Sequence, residues 1–467
     1  MCEGIADELQ GIDLGDKRLN RRSKQIIEAL GANPEASINA SCEGWGDTLA
    51  AYRFFSNEAV SPEQILLPHR EATQRRMAEQ PVVLIVQDTS ELDYSDHPAK
   101  DAQCLNSVDR LGLFLHTHLA VTPDKLCLGV VGSDLYDRAP ESLGKTAERR
   151  KLPIEEKESL RWLEGYQLAS KLALECPQTQ VVSVADSEAD MYDIFVHHRD
   201  SSPGTATDFL IRATRERRTL ERDLEQGPYT YRKVHDEVSC SALRMTRTIE
   251  LSETPKRAAR QAHLEIRALT VTVKPPANRP KMGIVTYNVV LVEEVNGPGD
   301  GTDVSWLLIT TLPIATDADV LRIIDYYVAR WAVEIYFRTL KTGCRVEEIQ
   351  LEKTQRLKNC LAFYQIIAWR VLYVTYLNRS CPKLPCTAVF AESEWKSVWR
   401  VVTKKPLPKK VPLLCDMMPL ITQLGGYNNR AKEAPPGPQP IWVGLRRMLD
   451  FATAWIAFGP ETRITCE

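Results

Sequence analysis

The stretch from Tyr327 to Lys341, YVARWAVEIYFRTLK, contains no glycine or proline, and its apolar and aromatic residues recur at helical intervals. That pattern predicts one helix, stopped at Gly343. Tyr327, Arg330, Glu334 and Lys341 lie along it at offsets of three, seven and fourteen. At about 100° per residue they fall within roughly a 60° sector of one face. A hydroxyl, a guanidinium, a carboxylate and an ammonium then point the same way from one rod. One reading is a solvated face with a Glu–Arg pair four residues apart, which helices often carry. The other is a site in which a metal-binding carboxylate is flanked by phosphate-binding groups, and it needs further carboxylates to meet Glu334.

Two such carboxylates are present. Val82-Val83-Leu84-Ile85-Val86 reads as a buried strand that ends in Gln87-Asp88-Thr89. Val181-Val182-Ser183-Val184-Ala185 reads the same way and ends in Asp186-Ser187-Glu188. Either aspartate alone is more simply a helix cap or a turn residue. Both at strand tips, where α/β sheets keep their chemistry, form with Glu334 an Asp…Asp…Glu set. Carboxylate oxygens suit Mg²⁺, and two such ions about 4 Å apart suit an in-line phosphoryl displacement.

Tyr327-x2-Arg330-x3-Glu334-x6-Lys341, with the two upstream aspartates, resembles the signature of the DDE transposases of the insertion-sequence-four (IS-four) group, the group of the Tn-five transposase. Further blocks look like that family's and come in its order. They are Leu14-Gly15-Asp16-Lys17-Arg18, Ala51-Tyr52-Arg53-Phe54, Gln87-Asp88-Thr89-Ser90, Ala185-Asp186-Ser187-Glu188, Phe209-Leu210-Ile211-Arg212 and Ser305-Trp306-Leu307-Leu308. The likeness runs to about residue 380 and thins beyond it.

The resemblance implies an α/β fold. Its core is a ribonuclease-H-like mixed sheet interrupted by a β-rich insertion, between an N-terminal helical DNA-binding domain and a C-terminal helical domain. The expected boundaries are 1–78 for the DNA-binding domain, 79–215 and 304–378 for the halves of the core, 216–303 for the insertion, and 379–467 for a dimerisation region. It implies Asp88, Asp186 and Glu334 as catalytic ligands of two Mg²⁺, with Mn²⁺ as a substitute. It also implies Tyr327, Arg330, Lys341, Trp306 and Arg212 as DNA-binding residues.

With 467 residues the chain is long enough for two or three domains. A net charge of −3 argues mildly against nucleic acid as a partner, but local clusters matter more than the sum. No apolar run approaches about 18 residues, so no membrane span is expected. The polar, acidic start MCEGIADELQ is not a signal peptide. Twelve scattered cysteines without paired zinc spacing read as reduced cytosolic thiols; the resemblance implies a bacterial cytoplasm, near the nucleoid.

Residues 1–75 read as three short helices. Arg18, Arg21, Arg22 and Lys24 are candidate phosphate or base contacts, and the alternative is a solvated basic face. Strands are expected near 82–87, 112–120, 126–131, 181–185 and 208–213, with helices near 155–175 and 188–198. His116 and His118 share one strand face; a structural or DNA-side role is preferred over a metal pair. Glu188 and Asp190 read as supporting or helix-start residues. The insertion shows strand patterns at 263–274 and 283–295, led by Arg212, Arg215, Arg217 and Arg218, with a basic turn at Lys256–Arg260. A lone Trp306 is usually core; in the family it stacks on a flipped base. Arg400–Lys410 reads as an exposed basic linker, and 434–438 as a second break. The last helix, about 442–457, packs on its own chain or on a partner copy.

The implied function is a cut-and-paste transposase. It binds the inverted repeats at transposon ends as a homodimer, cleaves both strands by hydrolysis and hairpin formation, and joins 3′ ends to target DNA. The rival enzyme is a structure-specific nuclease on the same core. Rivals of another class are a non-catalytic transposase-derived DNA-binding protein and, more distantly, a basic interaction scaffold.

Overall fold

The computed structural model describes residues 4–42, 44–138, 152–214, 233–251, 253, 257–428, 430 and 436–460. Arg215, Arg217, Arg218, Lys256 and residues 434–435, singled out above, lie outside them. The chain divides into two compact units, neither continuous in sequence. The first comprises Met1–Met77, Thr89–Thr146 and Ala332–Glu467, and the second Ala78–Asp88 and Ala147–Trp331.

The first unit opens with helices α1 (Lys17–Ala32), α2 (Ile38–Ser41), α3 (Trp45–Phe55) and α4 (Pro62–Ala78, Ala78 itself falling in the second unit). Helix α1 begins where Asp16 accepts the Arg18 N–H at 2.7 Å, the capping that an aspartate ahead of a helical run predicts. Strand β1 (Val82–Asp93) runs through both units, its last five residues belonging to the first. Strands β2 (Gln103–Cys104), β3 (Leu111–Val121) and β4 (Cys127–Tyr136) pair antiparallel in sequence, with bulges in the β3–β4 ladder.

The second unit holds helices α5 (Leu160–Glu175), α6 (Tyr192–Asp200), α7 (Val234–Ser239) and α8 (Asp317–Ala329). Its strands are β5 (Gln180–Ala185), β6 (Asp208–Arg212), β7 (Met245–Leu251), β8 (Arg260–Val273), β9 (Val285–Glu294) and β10 (Ser305–Thr310). With the first part of β1 they form a mixed sheet in the order β1-β5-β6-β10-β9-β8-β7. β1, β5 and β6 are parallel neighbours, and the pairs from β6–β10 outward are antiparallel. An aromatic core of Trp162, Tyr166, Tyr192, Phe195, Phe209 and Tyr287 fills its interior.

Helices α9 (Ala332–Arg338), α10 (Thr354–Ser380), α11 (Glu392–Thr403), α12 (Leu414–Leu424) and α13 (Pro438–Phe458) complete the first unit. By length and composition alone, α10 is long and apolar enough to cross a membrane, with a window of mean hydropathy 1.3. Of that window 89% is buried inside the protein, as in the central helix of a globular unit. The ten described cysteines are free thiols.

The expected single helix from Tyr327 to Lys341 is corrected. α8 ends at Ala329, and Arg330 and Trp331 form a tighter turn through N–H bonds to the Tyr327 and Val328 carbonyls three residues back. α9 follows, and Thr339–Gly343 then widens to a π turn closed by Cys344 N–H on the Thr339 carbonyl at 2.8 Å. Thr339 Oγ1 donates to the Ile335 carbonyl at 2.9 Å, a local bond that competes with the regular ladder. Gly343 is fixed by close approach: a Cβ there would stand 2.8 Å from the Trp442 ring. The ideal-helix argument for one shared face therefore fails across the two interruptions.

Candidate active site

Within the second unit, β1 and β5 run parallel in a register that pairs Val82 with Gln180 and Val86 with Val184. Continued two residues, that register sets Asp88 level with Asp186, on the same sheet face and on strands about 4.8 Å apart. Asp88 is not a strand end, since β1 continues to Asp93; it stands two residues beyond the last pair with β5, Val86 and Val184. Beneath it the buried Gln87 donates to Ser183 Oγ at 3.3 Å and ties the two strands together.

Each acid has a donor. Arg330 Nη1 donates to Asp88 Oδ2 at 3.1 Å, with side-chain exposures of 9% and 16%. Asp186 caps a short turn, accepting the Glu188 N–H at 2.9 Å. Arg330 is delivered by α8, which starts at a capping box in which Thr316 and Asp319 bond each other's backbone N–H.

Tyr327, on the last turn of α8, is buried. Burial pushes its hydroxyl's pKa up, the Arg330 and Arg212 cations pull it down, and Asp186 raises it again. The Trp306 ring meets Tyr327 edge-on, 5.6 Å between centroids. Arg212 is exposed and donates to the Ser305 carbonyl at 3.4 Å. It pairs with Leu308 across the β6–β10 ladder, so it shares a sheet face with Trp306 two residues away. Beside Asp186 opens a pocket of about 390 Å³ lined by Ser187, Arg212, Ala213, Thr214, Ser305 and Leu307. The structure thus brings six expected residues into one unit: Asp88, Asp186, Arg212, Trp306, Tyr327 and Arg330.

Glu334 and Lys341 belong to the first unit. Glu334 is half-buried in the first turn of α9. Lys341 lies on the π turn, with its Nζ 3.6 Å from Glu347 Oε1. Among the described residues no three His, Cys, Asp or Glu side chains already form a metal cluster. The donor chemistry where β1 and β5 part nevertheless fits a hard cation: two carboxylates brought level by the parallel register, each held by a polar donor.

Elsewhere in the first unit, Arg18 and Arg21 are exposed, Arg22 bonds Asp47 at 2.8 Å, and Lys24 is half-buried. His116 and His118 lie buried with ring centroids 4.8 Å apart, and His116 Nδ1 bonds Thr89 Oγ1 at 2.7 Å.

Asp190 has the supporting role the sequence reading offered: it is buried and holds Thr214 on the pocket wall, accepting from Thr214 N–H at 3.1 Å and Thr214 Oγ1 at 3.0 Å. One further contributor, Glu347, escaped that reading. It accepts the Asp93 N–H at 2.9 Å and holds Lys341. Nothing in the residue spacing signals the bond to Asp93, because it closes between segments distant in sequence.

Sequence models of known families match the chain in the order this architecture would suggest. A transposase DNA-binding model covers residues 1–60, and a transposase DDE domain model covers 168–369. Asp186 and Glu334 fall inside that second match, while Asp88 lies ahead of it. The chain belongs to the DDE transposases. A third match, to the dimerisation domain of the Tn5 transposase over residues 366–456, makes the Tn5 transposase the particular protein it resembles. Among solved structures, a cryo-EM structure of the piggyBac transposase synaptic complex with hairpin DNA aligns at 8% identity. That alignment covers 96% of this chain and 73% of that one, with a TM-score of 0.34.

Proposed function

We propose that this DNA transposase works by cut-and-paste on a ribonuclease-H-like core, with Asp88, Asp186 and Glu334 as ligands of two Mg²⁺ or Mn²⁺ ions. The observation that carries the reading is the level pair of Asp88 and Asp186 on neighbouring parallel strands, beside Arg212, Trp306, Tyr327 and Arg330. When bound, divalent cations supply the positive charge that an in-line displacement at phosphorus needs at its attacking and leaving oxygens. The protein's own side chains do the rest.

Asp88 and Asp186 set the position of the reacting phosphorus on a rigid sheet rim, and Glu334 completes the acid set from α9. Arg330 presents a planar fork that suits a phosphate. Lys341, steadied by Glu347, and Tyr327 hold neighbouring phosphates. Nicking frees a 3′-hydroxyl at the element end, and that hydroxyl attacks the opposite strand to form a hairpin. Hydrolysis reopens the hairpin, and the same 3′-hydroxyl then attacks target DNA. A base turned out of the hairpin stacks on Trp306. Residues 1–78 recognise the end repeats, with Arg18, Arg21, Arg22 and Lys24 toward the duplex, and residues 379–467 join two copies on paired ends. The protein acts at the nucleoid of a bacterial cytoplasm.

The test is Glu334→Gln with a labelled end duplex and Mg²⁺. Nicking is lost and end binding is kept. Retained nicking contradicts the assignment.

A further inference from the structure

Arg400, Lys404, Lys405, Lys409 and Lys410 place five cations in eleven residues that contain no acid. All five are exposed, and among the described residues none has a carboxylate partner. Elsewhere the arginines are commonly paired, as Arg110 is with Glu91 and Asp93, Arg247 with Asp325 and Arg279 with Asp193. The flanking acids are committed to helix starts. Glu394 accepts the Ala391 N–H at 2.7 Å, and Asp416 accepts the Leu413 N–H at 3.1 Å. The charge of this loop is therefore not neutralised within its own unit.

The loop is also held in shape. Trp399 Nε1 donates to the Pro406 carbonyl at 3.0 Å, and Arg400 Nη1 donates to the Lys405 carbonyl at 3.0 Å. Lys405 N–H donates to Thr403 Oγ1 at 3.1 Å, and Pro406 and Pro408 fix two backbone angles. Lys404 ends α11 at φ 57°, a left-handed conformation where glycine is the usual occupant. Unpaired like charges repel one another, and a rigid loop cannot spread them apart. The arrangement is stabilised when a polyanion lies against it. Duplex DNA, with one phosphate charge per about 1.7 Å of axis, is such a partner and requires no base reading.

We infer that the Arg400–Lys410 loop, inside the region matched by the dimerisation model, is a second DNA-contact surface that holds duplex backbone regardless of sequence. The inference rests on the reading of the chain as a DNA transposase. Its source of DNA is the transposon end with its flank, or the target.

The test uses the full-length protein with Lys404, Lys405, Lys409 and Lys410 all changed to Gln. Binding to an end-containing duplex and to a duplex without ends is measured across a salt series. Four lost phosphate contacts lower the slope of log affinity against log salt by about 3.6 in magnitude, and affinity by roughly a hundredfold or more at low salt. A loss confined to the end duplex assigns the loop to the end and its flank. A loss on both duplexes, or on the endless one alone, assigns it to backbone of any sequence, including the target. Lys404→Gly removes one cation at a position whose backbone suits glycine, and it lowers the slope by about 0.9 without risk to the fold.

Unchanged slopes on both duplexes overturn the inference. So does loss of the dimer, by light scattering, in step with loss of DNA binding, since the loop would then be part of the subunit interface. If the unaltered protein binds neither duplex, it is the DNA transposase reading that falls.

Discussion

Two arginine–carboxylate pairs, one in each unit, put the same chemistry to different uses. In the first unit Glu8 is buried and accepts from Arg76 Nη1 at 2.9 Å, Arg76 Nη2 at 3.1 Å and His69 Nδ1 at 2.5 Å. His69 Nε2 accepts the Val130 N–H at 3.0 Å, so the ring is neutral with its proton on Nδ1. Arg76 Nε donates to the Leu128 carbonyl at 2.7 Å, and its guanidinium lies 4.5 Å from the Trp369 ring centroid. The network joins the N-terminal segment, α4, β4 and α10, with partners on every side. In the second unit Arg330 Nη1 donates to Asp88 Oδ2 at 3.1 Å. A closed, buried network fixes segments in place. The Asp88–Arg330 pair instead lies in the unit that also holds Asp186, Trp306 and Tyr327, groups suited to a cation and a phosphate.

The comparison predicts effects of different kinds. Asp88→Asn abolishes strand cleavage, by about 10³-fold or more, because cation charge stabilisation contributes several kcal/mol to the barrier. The pair is largely buried, so the charge of Asp88 also contributes to stability, while Asn keeps an acceptor for Arg330. Cleavage assays beside urea denaturation measure both, and unchanged cleavage per folded molecule would contradict the prediction.

Glu8→Gln does the reverse. Glu8 itself is buried, and disrupting its network costs about 3–5 kcal/mol, read as a lower urea midpoint, while cleavage per folded molecule is unchanged.

Acid separates the two sites next. Burial lowers the pKa of His69, against the pull of Glu8, and burial holds His118 at about 4. Below about 6.5 the unfolded chain takes up these protons and the folded one does not, so stability falls as pH falls. For His118 the loss is of order 3 kcal/mol between about pH 6.5 and 4. Burial alone would raise the pKa of Glu8, but His69 and Arg76 outweigh it and hold the carboxyl far below its usual range. Its contribution is therefore present above about pH 4.3 and is lost on further acidification. His118→Gln flattens the upper part of the profile; parallel profiles for the two proteins would refute the assignment.

The smallest effect belongs to Trp306. Stacking contributes about 1–3 kcal/mol, so Trp306→Ala lowers hairpin formation roughly 5- to 150-fold and leaves nicking within a few fold. The ratio of hairpin to nicked product, measured on one substrate, decides the point.

Much of the second unit was legible in the sequence because its central strands are short apolar runs with acids at their ends. The runs at 82–86 and 181–185 fall within β1 and β5, and the alternation at 263–274 and 283–295 matches β8 and β9. β7 escaped notice because its outward residues, Thr246, Thr248 and Glu250, leave only a weak apolar pattern. The breaks at Arg330–Trp331 and Thr339–Gly343 were invisible because no glycine or proline marks their onset. A threonine's bond to its own backbone and a tryptophan seated on Gly343 are tertiary choices. The side-by-side placement of Asp88 and Asp186 was only half legible. Each strand could be read alone, but their parallel register is a property of the sheet.

The central claim is that Asp88, Asp186 and Glu334 act as one ligand set. Titration of the end-bound protein with Mn²⁺, followed by its paramagnetic signal, tests it most directly. The account predicts about two tight ions per subunit, and a loss of tight binding in each of Asp88→Asn, Asp186→Asn and Glu334→Gln while the end stays bound. Full Mn²⁺ binding by Glu334→Gln, with DNA in place, would contradict it.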